Sequence, residues 1–428
     1  MPTETPTFSG MTFEGWYQDA AVTTVFNFEN TEIRSSLTVY AKWNGHSYST
    51  VLKNSENGIP DNPNYNQANR AITATASSDG KNVYVMSSIL GLEVLVVFNR
   101  DATTGTLTHS TNIFTADVGG GTEMMGGRGI TVSPDGKNVY VSLFSSTAPA
   151  PDDGDGLVVF NRNTTTGSLA YSTVLKDNKN GVDGLAGAYT ITVSPDGKNV
   201  YVAGSTDDAL AVFDRDTTTG ALTYSTNFKD GVNGVDGLEG AIFIAVSPDG
   251  ENVYVAGFDD DALAVFNRDT TTGALAYNAV FKDNQGEVDG LNEAFSVTVS
   301  PDGKNVYVAG FEDDALAVFN RDTETGALTY SNVFKNGTNG VDGLNGAFSV
   351  TVSPDGKNVY VASDADNALV VFKRNTTTGA LTYSTVFKDG VNGVDGLKEA
   401  QFVTLSPNGK SIYVGGRGDG ILAVFHRR

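Results

Sequence analysis

The stretch that decides the fold is Ser300-Pro-Asp-Gly-Lys-Asn-Val-Tyr-Val-Ala-Gly310, a turn followed by a short apolar strand. Pro301 presets φ at the turn, Asp302 can accept a local backbone hydrogen bond, and Gly303 supplies the left-handed position. The same turn signature occurs at 77–80, 133–136, 194–197, 247–250, 300–303, 353–356 and 406–409. The seven copies begin 56, 61, 53, 53, 53 and 53 residues apart. A fixed period of this size predicts an array, a solenoid or a propeller.

The repeat around this turn is predicted to contain four short strands. We expect them at 295–299, 305–309, 315–319 and 328–334, separated by turns rich in Asp, Asn and Gly. No segment shows a sustained helical period of apolar residues. Four short antiparallel strands per repeat are typical of a propeller blade. Seven repeats therefore predict an all-β, seven-bladed β-propeller around a central channel.

The two ends of the chain complement each other. The seventh repeat ends after its third strand, near Phe425, and lacks a fourth. The missing strand is found at residues 46–53, which parallel the fourth strand of the sixth repeat at 382–388. We therefore predict that the N-terminal segment completes the last blade and removes an exposed sheet edge. The predicted propeller is a single domain of residues 37–428, preceded by an N-terminal arm of residues 1–36.

Residues 1–43 are surplus to a closed ring. Leu37–Trp43 is a predicted strand, joined to the closing strand by a predicted Asn44-Gly45 hairpin turn, and residues 21–28 form another predicted strand. These strands have two alternative fates. They can fold back as outer strands of the seventh blade, or they can add to a strand edge of the next molecule and build a filament.

Charge and composition exclude several classes of function. The 428 residues include 50 acidic and 28 basic ones, giving a formal net charge of −22, which disfavours nucleic acid as a partner. There is no cysteine, so disulfides, thiolate metal sites and cysteine nucleophiles are excluded. No run of eighteen apolar residues predicts a membrane span.

The repeat resembles that of known propellers. The phrases SPDGKNVYVAG at 300–310 and LAVFNRDTETGALTY at 316–330 resemble the lactonase-type, phosphogluconolactonase-like seven-bladed propellers and the YVTN-type repeats of bacterial and archaeal surface proteins. The connector KDGVNGVDGL at 388–397 resembles repeat arrays of exported bacterial proteins. The likeness covers residues 37–428 and lies in turn and core positions, so it implies the fold more than the function.

The lactonase resemblance implies histidine, arginine and glutamate at the channel mouth, where they would open a lactone ring. The three histidines, His46, His109 and His426, fall in or beside outer strands, and we expect them at the periphery. The irregular connector 115–128 offers Glu123 and Arg128 as candidate catalytic residues, with Arg128 where a first strand enters the channel. The alternative is a structural salt bridge or a tolerated loop variation.

The connectors also carry a candidate calcium site. Val-Asp-Gly-Leu occurs five times, with the aspartates Asp183, Asp236, Asp289, Asp342 and Asp395. Most copies have a second acidic residue just upstream: Asp177, Asp230, Asp283 and Asp389. Carboxylates beside glycine carbonyls suit Ca²⁺, which takes six to eight oxygen ligands. The alternative is that Asp-Gly simply makes tight turns.

Two functions of different class follow. Nearly interchangeable repeats favour a non-enzymatic scaffold or binding module, because catalysis needs one asymmetric constellation. We expect such a module outside the cell or on its surface, with its signal peptide removed, binding copies of itself through residues 1–43 or other surface proteins and glycans. The alternative is a lactonase-like hydrolase that uses the mouth near Arg128.

Overall fold

The computed structural model describes residues 11–17, 40–52, 70–89, 92–119, 126–144, 154–418 and 422–427. They form 29 β-strands in seven sheets and a 3₁₀ turn, Thr115–Asp117. Among them is no helix that is long and apolar enough to cross a bilayer. The predicted all-β, seven-bladed propeller is confirmed.

The strands follow one another blade by blade. Two strands precede the first blade: β1 (Met11–Tyr17) and β2 (Tyr40–Leu52). Blade 1 contains β3 (Arg70–Ala76), β4 (Asn82–Ile89), β5 (Leu92–Arg100) and β6 (Leu107–Phe114). Blade 2 contains β7 (Gly127–Val132), β8 (Asn138–Leu143), β9 (Gly156–Arg162) and β10 (Leu169–Lys176). Blade 3 contains β11 (Ala188–Val193), β12 (Asn199–Gly204), β13 (Ala209–Arg215) and β14 (Leu222–Lys229).

The later blades repeat this order with nearly constant lengths. Blade 4 contains β15 (Ala241–Val246), β16 (Asn252–Gly257), β17 (Ala262–Arg268) and β18 (Leu275–Lys282). Blade 5 contains β19 (Ala294–Val299), β20 (Asn305–Gly310), β21 (Ala315–Arg321) and β22 (Leu328–Lys335). Blade 6 contains β23 (Ala347–Val352), β24 (Asn358–Ser363), β25 (Ala368–Arg374) and β26 (Leu381–Lys388). Blade 7 contains β27 (Ala400–Leu405), β28 (Ser411–Gly416) and β29 (Leu422–Arg427).

The seventh blade is closed by β2. Its sheet has the order β1-β2-β29-β28-β27, and β2 pairs antiparallel with β29 from His46↔Arg427 to Leu52↔Leu422. The predicted closure is therefore confirmed. The outer edge of β29, which would otherwise expose unpaired backbone groups, is covered.

The hairpin predicted at Asn44-Gly45 is wrong. β2 runs straight through both residues, because the part of β2 before the closing segment pairs with β1, from Met11↔Gly45 to Tyr17↔Tyr40. Gly45 adopts a φ of 140°, which glycine tolerates without a Cβ clash. β1 thus gives blade 7 a fifth strand. The strand predicted at 21–28 lies outside the described residues.

The hydrophobic core lies between neighbouring blades. The second strand of each blade is apolar at nearly every position, because both of its faces pack against another blade, and these strands are completely buried in blades 2 to 7. Each holds a fully buried tyrosine, of which Tyr307 in β20 is an example. Burial of this kind is worth about 25 cal/mol per Å² of apolar surface, so adjacent blades hold each other in place.

An arginine latch joins each blade to the one before it. The arginine at the end of the third strand reaches the turn of the preceding blade, as Arg374 does with Asp302 at 2.8 Å. Arg374 also donates to the Tyr307 hydroxyl at 2.9 Å and to the Asn305 amide oxygen at 2.7 Å. Burial alone would raise the pKa of Asp302, but hydrogen bonds from Ser300 and Arg374 bring this pKa below its usual value. The latch arginines are Arg100, Arg162, Arg215, Arg268, Arg321, Arg374 and Arg427.

In the latch across the closing junction, the arginine has an uncharged partner. Arg100 of blade 1 meets Asn408 of blade 7 at 3.2 Å, where the other six latches offer an aspartate. Its remaining partners are the Ser411 hydroxyl at 3.2 Å, the Tyr413 hydroxyl at 2.9 Å and the Gly80 carbonyl of its own blade at 3.2 Å. The seam between the first and last blades therefore keeps the hydrogen bonds of a latch but lacks the ion pair.

Candidate active site at the channel mouth

The two ends of the ring carry different side chains. We call the end with the seven Ser-x-Asx-Gly turns the turn end, and the opposite end, where the first strands begin, the mouth. Five residues before each turn serine, the first strand places one side chain at the mouth. These residues are Ile72, Arg128, Tyr189, Ile242, Phe295, Phe348 and Gln401. All of them except Ile242 line a channel cavity of about 380 Å³.

Arg128 is the cation on one side of the mouth. It is the second residue of β7 and is half-buried. Its guanidinium lies 5.1 Å from the ring centroid of Phe144 and 5.3 Å from that of Tyr189. Cation–π contacts on two rings hold the guanidinium plane and leave its N–H edge available to a ligand. The structure thus puts Arg128 where the register of the repeat expects it.

Glu93 is the carboxylate on the same side, and the sequence analysis missed it. It belongs to β5 and occupies the repeat position of Asp208, Asp261 and Asp314, which accept a backbone N–H from the next connector at 2.8 Å. Glu93 likewise accepts the N–H of Gly126. The one feature of the sequence that could have identified this residue is that blade 1 has a glutamate where three other blades have an aspartate.

The extra methylene of Glu93 leaves one oxygen without a function in the fold. Its Oε2 is buried and has no hydrogen-bond partner among the described residues. Burial raises the pKa of Glu93, while the Gly126 hydrogen bond and the charge of Arg128 oppose that shift. A carboxyl group with a raised pKa beside an arginine can exchange protons closer to neutral pH.

A second polar group lies on the other side of the mouth. Gln401 of β27 is buried and donates to Asp364 Oδ2 at 2.6 Å. Arg417 follows β28 and is half-buried. Burial raises the pKa of Tyr189, and the charges of Arg128 and Arg417 both oppose that rise. The positive charges of both arginines therefore reach the Tyr189 side of the mouth.

The arc between these polar sides is aromatic. Tyr189, Phe295 and Phe348 come from first strands, and Phe144, Phe258 and Phe311 directly follow second strands. Phe295 is the centre of the group, with ring centroids 3.6 Å from Phe348, 5.7 Å from Phe258 and 5.8 Å from Tyr189. Such contacts fix the rings against one another and give the mouth a preformed apolar wall.

The histidines do not reach the mouth. His109 and His426 pair near the turn end of their blades, opposite Phe98 and Ser411. The expectation that His46 lies on the surface is wrong, because its ring is only 6% exposed and its Nε2 is 2.8 Å from the Tyr360 hydroxyl. Burial, Arg427 and Lys373 together lower the pKa of His46 to about 4. The other candidate, Glu123, lies outside the described residues.

The connector aspartates have structural partners. The upstream aspartate accepts the N–H of the leucine in Val-Asp-Gly-Leu, as Asp230 does from Leu238 at 3.0 Å. Four of the five aspartates in the Val-Asp-Gly-Leu motifs form an ion pair with a lysine at the end of a fourth strand. The pairs are Asp183–Lys229 at 3.0 Å, Asp236–Lys282 at 2.8 Å, Asp289–Lys335 at 2.7 Å and Asp342–Lys388 at 2.8 Å. The fifth, Asp395, lies near Tyr48 of β2.

Three of these connectors bring carboxylates close enough to share a cation. The groups are Asp177, Asp183 and Asp207; Asp230, Asp236 and Asp260; and Asp283, Asp289 and Asp313. In each group a lysine ammonium already bridges two of the carboxylates, as Lys282 does for Asp236 and Asp260. The lysine supplies the positive charge that the crowded carboxylates need. Calcium binding there stays a prediction.

The fold is a seven-bladed β-propeller whose channel carries an asymmetric set of side chains at one end. The chain belongs to the lactonase seven-bladed β-propeller family, whose sequence model matches residues 77–231, 155–283, 244–388 and 350–428. A second model, the Listeria–Bacteroides repeat domain, matches residues 1–42. No curated protein sequence matches the chain significantly.

Solved structures agree on the fold. A candidate 6-phosphogluconolactonase of Bacteroides fragilis is 22% identical over 74% of this chain and 83% of its own, with a TM-score of 0.58. The periplasmic gluconolactonase of Pseudomonas aeruginosa is 18% identical over 81% and 92%, with a TM-score of 0.58. The hydrazine synthase of Kuenenia stuttgartiensis is 18% identical over 84% and 96%, with a TM-score of 0.53. Similarity at this level establishes the shared fold and leaves the chemistry to the site.

Proposed function

We propose that the protein hydrolyses lactones or related cyclic esters at the channel mouth. The observation that carries the proposal is the asymmetric placement of Arg128 near the buried carboxyl group of Glu93, which the other six blade junctions do not repeat in the described residues. Membership of the lactonase family and the likeness to gluconolactonases support the same function. This replaces the scaffold that the sequence favoured, because that hypothesis rested on a ring of interchangeable blades.

The chemistry follows from the charges. Opening a lactone adds water to the carbonyl carbon, so the carbonyl oxygen becomes negative and the water loses a proton. Arg128 and Arg417 are the cations that would stabilise this oxygen. Glu93 Oε2 is buried outside the cavity lining, so the side chain would have to turn toward the channel. There it would accept the proton and return it to the ring oxygen when the carbon–oxygen bond breaks, giving a hydroxy acid.

The test is lactone turnover measured by acid release in a pH-stat. We expect Arg128→Ala to lower kcat/KM about 10²-fold, the usual effect of removing one oxyanion donor. Glu93→Gln keeps an acceptor for the Gly126 N–H but cannot take a proton, so it should abolish turnover in a folded protein. Lys198→Ala removes an exposed cation at the turn end and serves as the matched control. Turnover that survives both mouth substitutions would refute the proposal.

A non-enzymatic extracellular or surface module remains the second candidate. It is favoured by the absence of all three histidines from the mouth, since the lactonase resemblance implies one there. If no lactone is hydrolysed, while the protein binds surface glycans or copies of itself, this function replaces the first. Sedimentation of the full chain beside a variant lacking residues 1–39 tests the self-binding part, because that variant keeps the closing strand.

A further inference from the structure

The mouth separates its polar and apolar groups. Its cations lie on two sides, with Arg128 near Glu93 on one and Arg417 near the amide of Gln401 on the other. Between them runs the aromatic wall formed by Phe144, Tyr189, Phe258, Phe295, Phe311 and Phe348. All six rings are half-buried; Tyr189, Phe295 and Phe348 line the cavity, and Phe144, Phe258 and Phe311 pack against those three. A ligand at this end of the cavity lies against the three lining rings.

The aromatic arc itself has few hydrogen bonds to offer. The cavity threonines Thr75, Thr192, Thr298, Thr351 and Thr404 lie three residues further along the first strands, away from the mouth. The Tyr189 hydroxyl is the one polar atom among its six rings, and Ser205, which follows β12 at the level of Phe258, already donates to the Gly187 carbonyl at 3.0 Å. A sugar lactone carries several hydroxyls, each of which loses hydrogen bonds to water on binding. A buried hydroxyl without a new partner weakens binding, whereas a flat apolar group gains from ring contacts.

The charge of the rim also disfavours a phosphate. Asp259 and Glu293 lie beside the aromatic arc. Burial and three neighbouring aspartates raise the pKa of Asp259. Burial, Glu312 and two aspartates raise the pKa of Glu293. Carboxylates that already repel one another would repel a phosphate dianion more strongly. The arginines at the two sides can orient one carbonyl, but the arc between them is negative at its rim.

We infer that the mouth selects uncharged lactones that carry a flat aryl or extended alkyl part, in preference to polyhydroxylated or phosphorylated sugar lactones. The carbonyl oxygen faces Arg128 and the apolar part lies against Phe295 and Phe348. The inference rests on the proposed function for its reaction and on the aromatic wall for its selectivity.

The first experiment compares kcat/KM for dihydrocoumarin, glucono-δ-lactone and 6-phosphoglucono-δ-lactone. We expect dihydrocoumarin to exceed both sugar lactones by at least about tenfold, as a difference of a few methylene-sized apolar contacts would give. Phe348→Ala should lower the value for dihydrocoumarin about tenfold and leave the sugar lactones unchanged. Tyr171→Ala is the matched control, because Tyr171 is exposed on the fourth strand β10, opposite Phe160 near the turn end.

The second experiment measures binding without turnover. 3,4-Dihydro-2-quinolinone, a lactam that resists hydrolysis, should bind by calorimetry, and Phe348→Ala should weaken it about tenfold. If this lactam binds and no lactone is hydrolysed, the proposed function fails and the inferred ligand class stands. If sugar lactones are hydrolysed best, in an Arg128-dependent way, while the lactam does not bind, the function stands and the inference is overturned. If neither turnover nor binding is found, both fail.

Discussion

The turn end and the mouth of this ring are built from the same repeats, yet they differ in how faithfully the repeats are kept. At the turn end, seven turns and seven arginine latches recur with two changes, Ser78 for proline and Asn408 for aspartate. At the mouth, the equivalent position of the first strand holds five residue types in seven blades. The latches must be alike because every junction has the same geometry. The mouth can vary more because its side chains line a cavity and do not fix one turn to the next, although Phe295 and Phe348 of adjacent blades contact each other.

Removing the closing strand should destabilise the turn end and the mouth together, and we expect the largest loss of stability from this change. A chain without residues 1–52 loses the ladder between β2 and β29 and the buried Leu52. We expect loss of cooperative unfolding, or aggregation through the bare edge of β29. Thermal melting followed by circular dichroism measures this. A truncated chain that melts like its parent would contradict the closure described above.

Removing one latch arginine should lower the free energy of unfolding more than removing an arginine at the mouth. Arg374→Ala leaves Asp302, Asn305 and the Tyr307 hydroxyl without a cation, and we expect the free energy of unfolding to fall by about 3 kcal/mol. Arg417→Ala at the mouth is the matched control and should change it by less than about 1 kcal/mol. Denaturant unfolding compares them. Equal losses would erase the distinction between the two ends.

His46 should make the turn end of blade 7 sensitive to acid. Its pKa of about 4 when folded lies below the ordinary value of 6.5, so the unfolded chain binds more protons between these values. The contribution of neutral His46 to the free energy of unfolding is fully present above pH 6.5, falls as the pH drops, and stops changing below pH 4. Lowering the pH from 7 to 5 should reduce the free energy of unfolding by about 2 kcal/mol.

The comparison of the parent with His46→Gln isolates this contribution from the many titrating carboxylates. Glutamine can still reach the Tyr360 hydroxyl but does not titrate. The difference in unfolding free energy between the two proteins should therefore depend on pH from 4 to 6.5 and be constant above. A flat difference across the whole range would show that the His46 ring is not held in its neutral form.

The smallest effect is expected from making the seventh latch like the other six. Asn408→Asp gives Arg100 the ion pair that the closing junction lacks. We expect a gain of about 1 kcal/mol at low salt that shrinks as the salt concentration rises. Thermal melting at two ionic strengths measures it. A loss of stability would mean that the neutral latch is the better fit at this seam.

Local signals predicted most of this fold, and distant contacts account for what they missed. The Ser-Pro-Asp-Gly turns encode the blade directly, so strand positions followed within one or two residues. The Asn44-Gly45 signal failed because pairing of β2 with β1 outweighs a local turn preference. His46 was misplaced because its partner Tyr360 is 314 residues away in the sequence.

The site was predicted in part. Arg128 follows from the register, since any residue five positions before a turn serine must reach the mouth. Glu93 comes from a third strand of the neighbouring blade 1, so packing between blades brings it near Arg128, and Arg417 comes from a loop of blade 7, which ring closure brings to the same end of the channel. No spacing in the sequence predicts that Glu93, Arg128 and Arg417 lie close together, because their proximity depends on how the blades pack into a ring.

The pairing of β2 with β29 has a consequence for synthesis. Some 370 residues separate Leu52 from its partner Leu422. A ribosome adds roughly 5–20 residues per second, so β2 waits roughly 20–75 s before β29 emerges. During that time the nascent chain carries an unpaired strand and six growing blades with no lateral closure. Until β29 has been made, β2 must be kept from pairing in place of the similar fourth strands of blades 1 to 6. This role falls to the translation machinery and its chaperones.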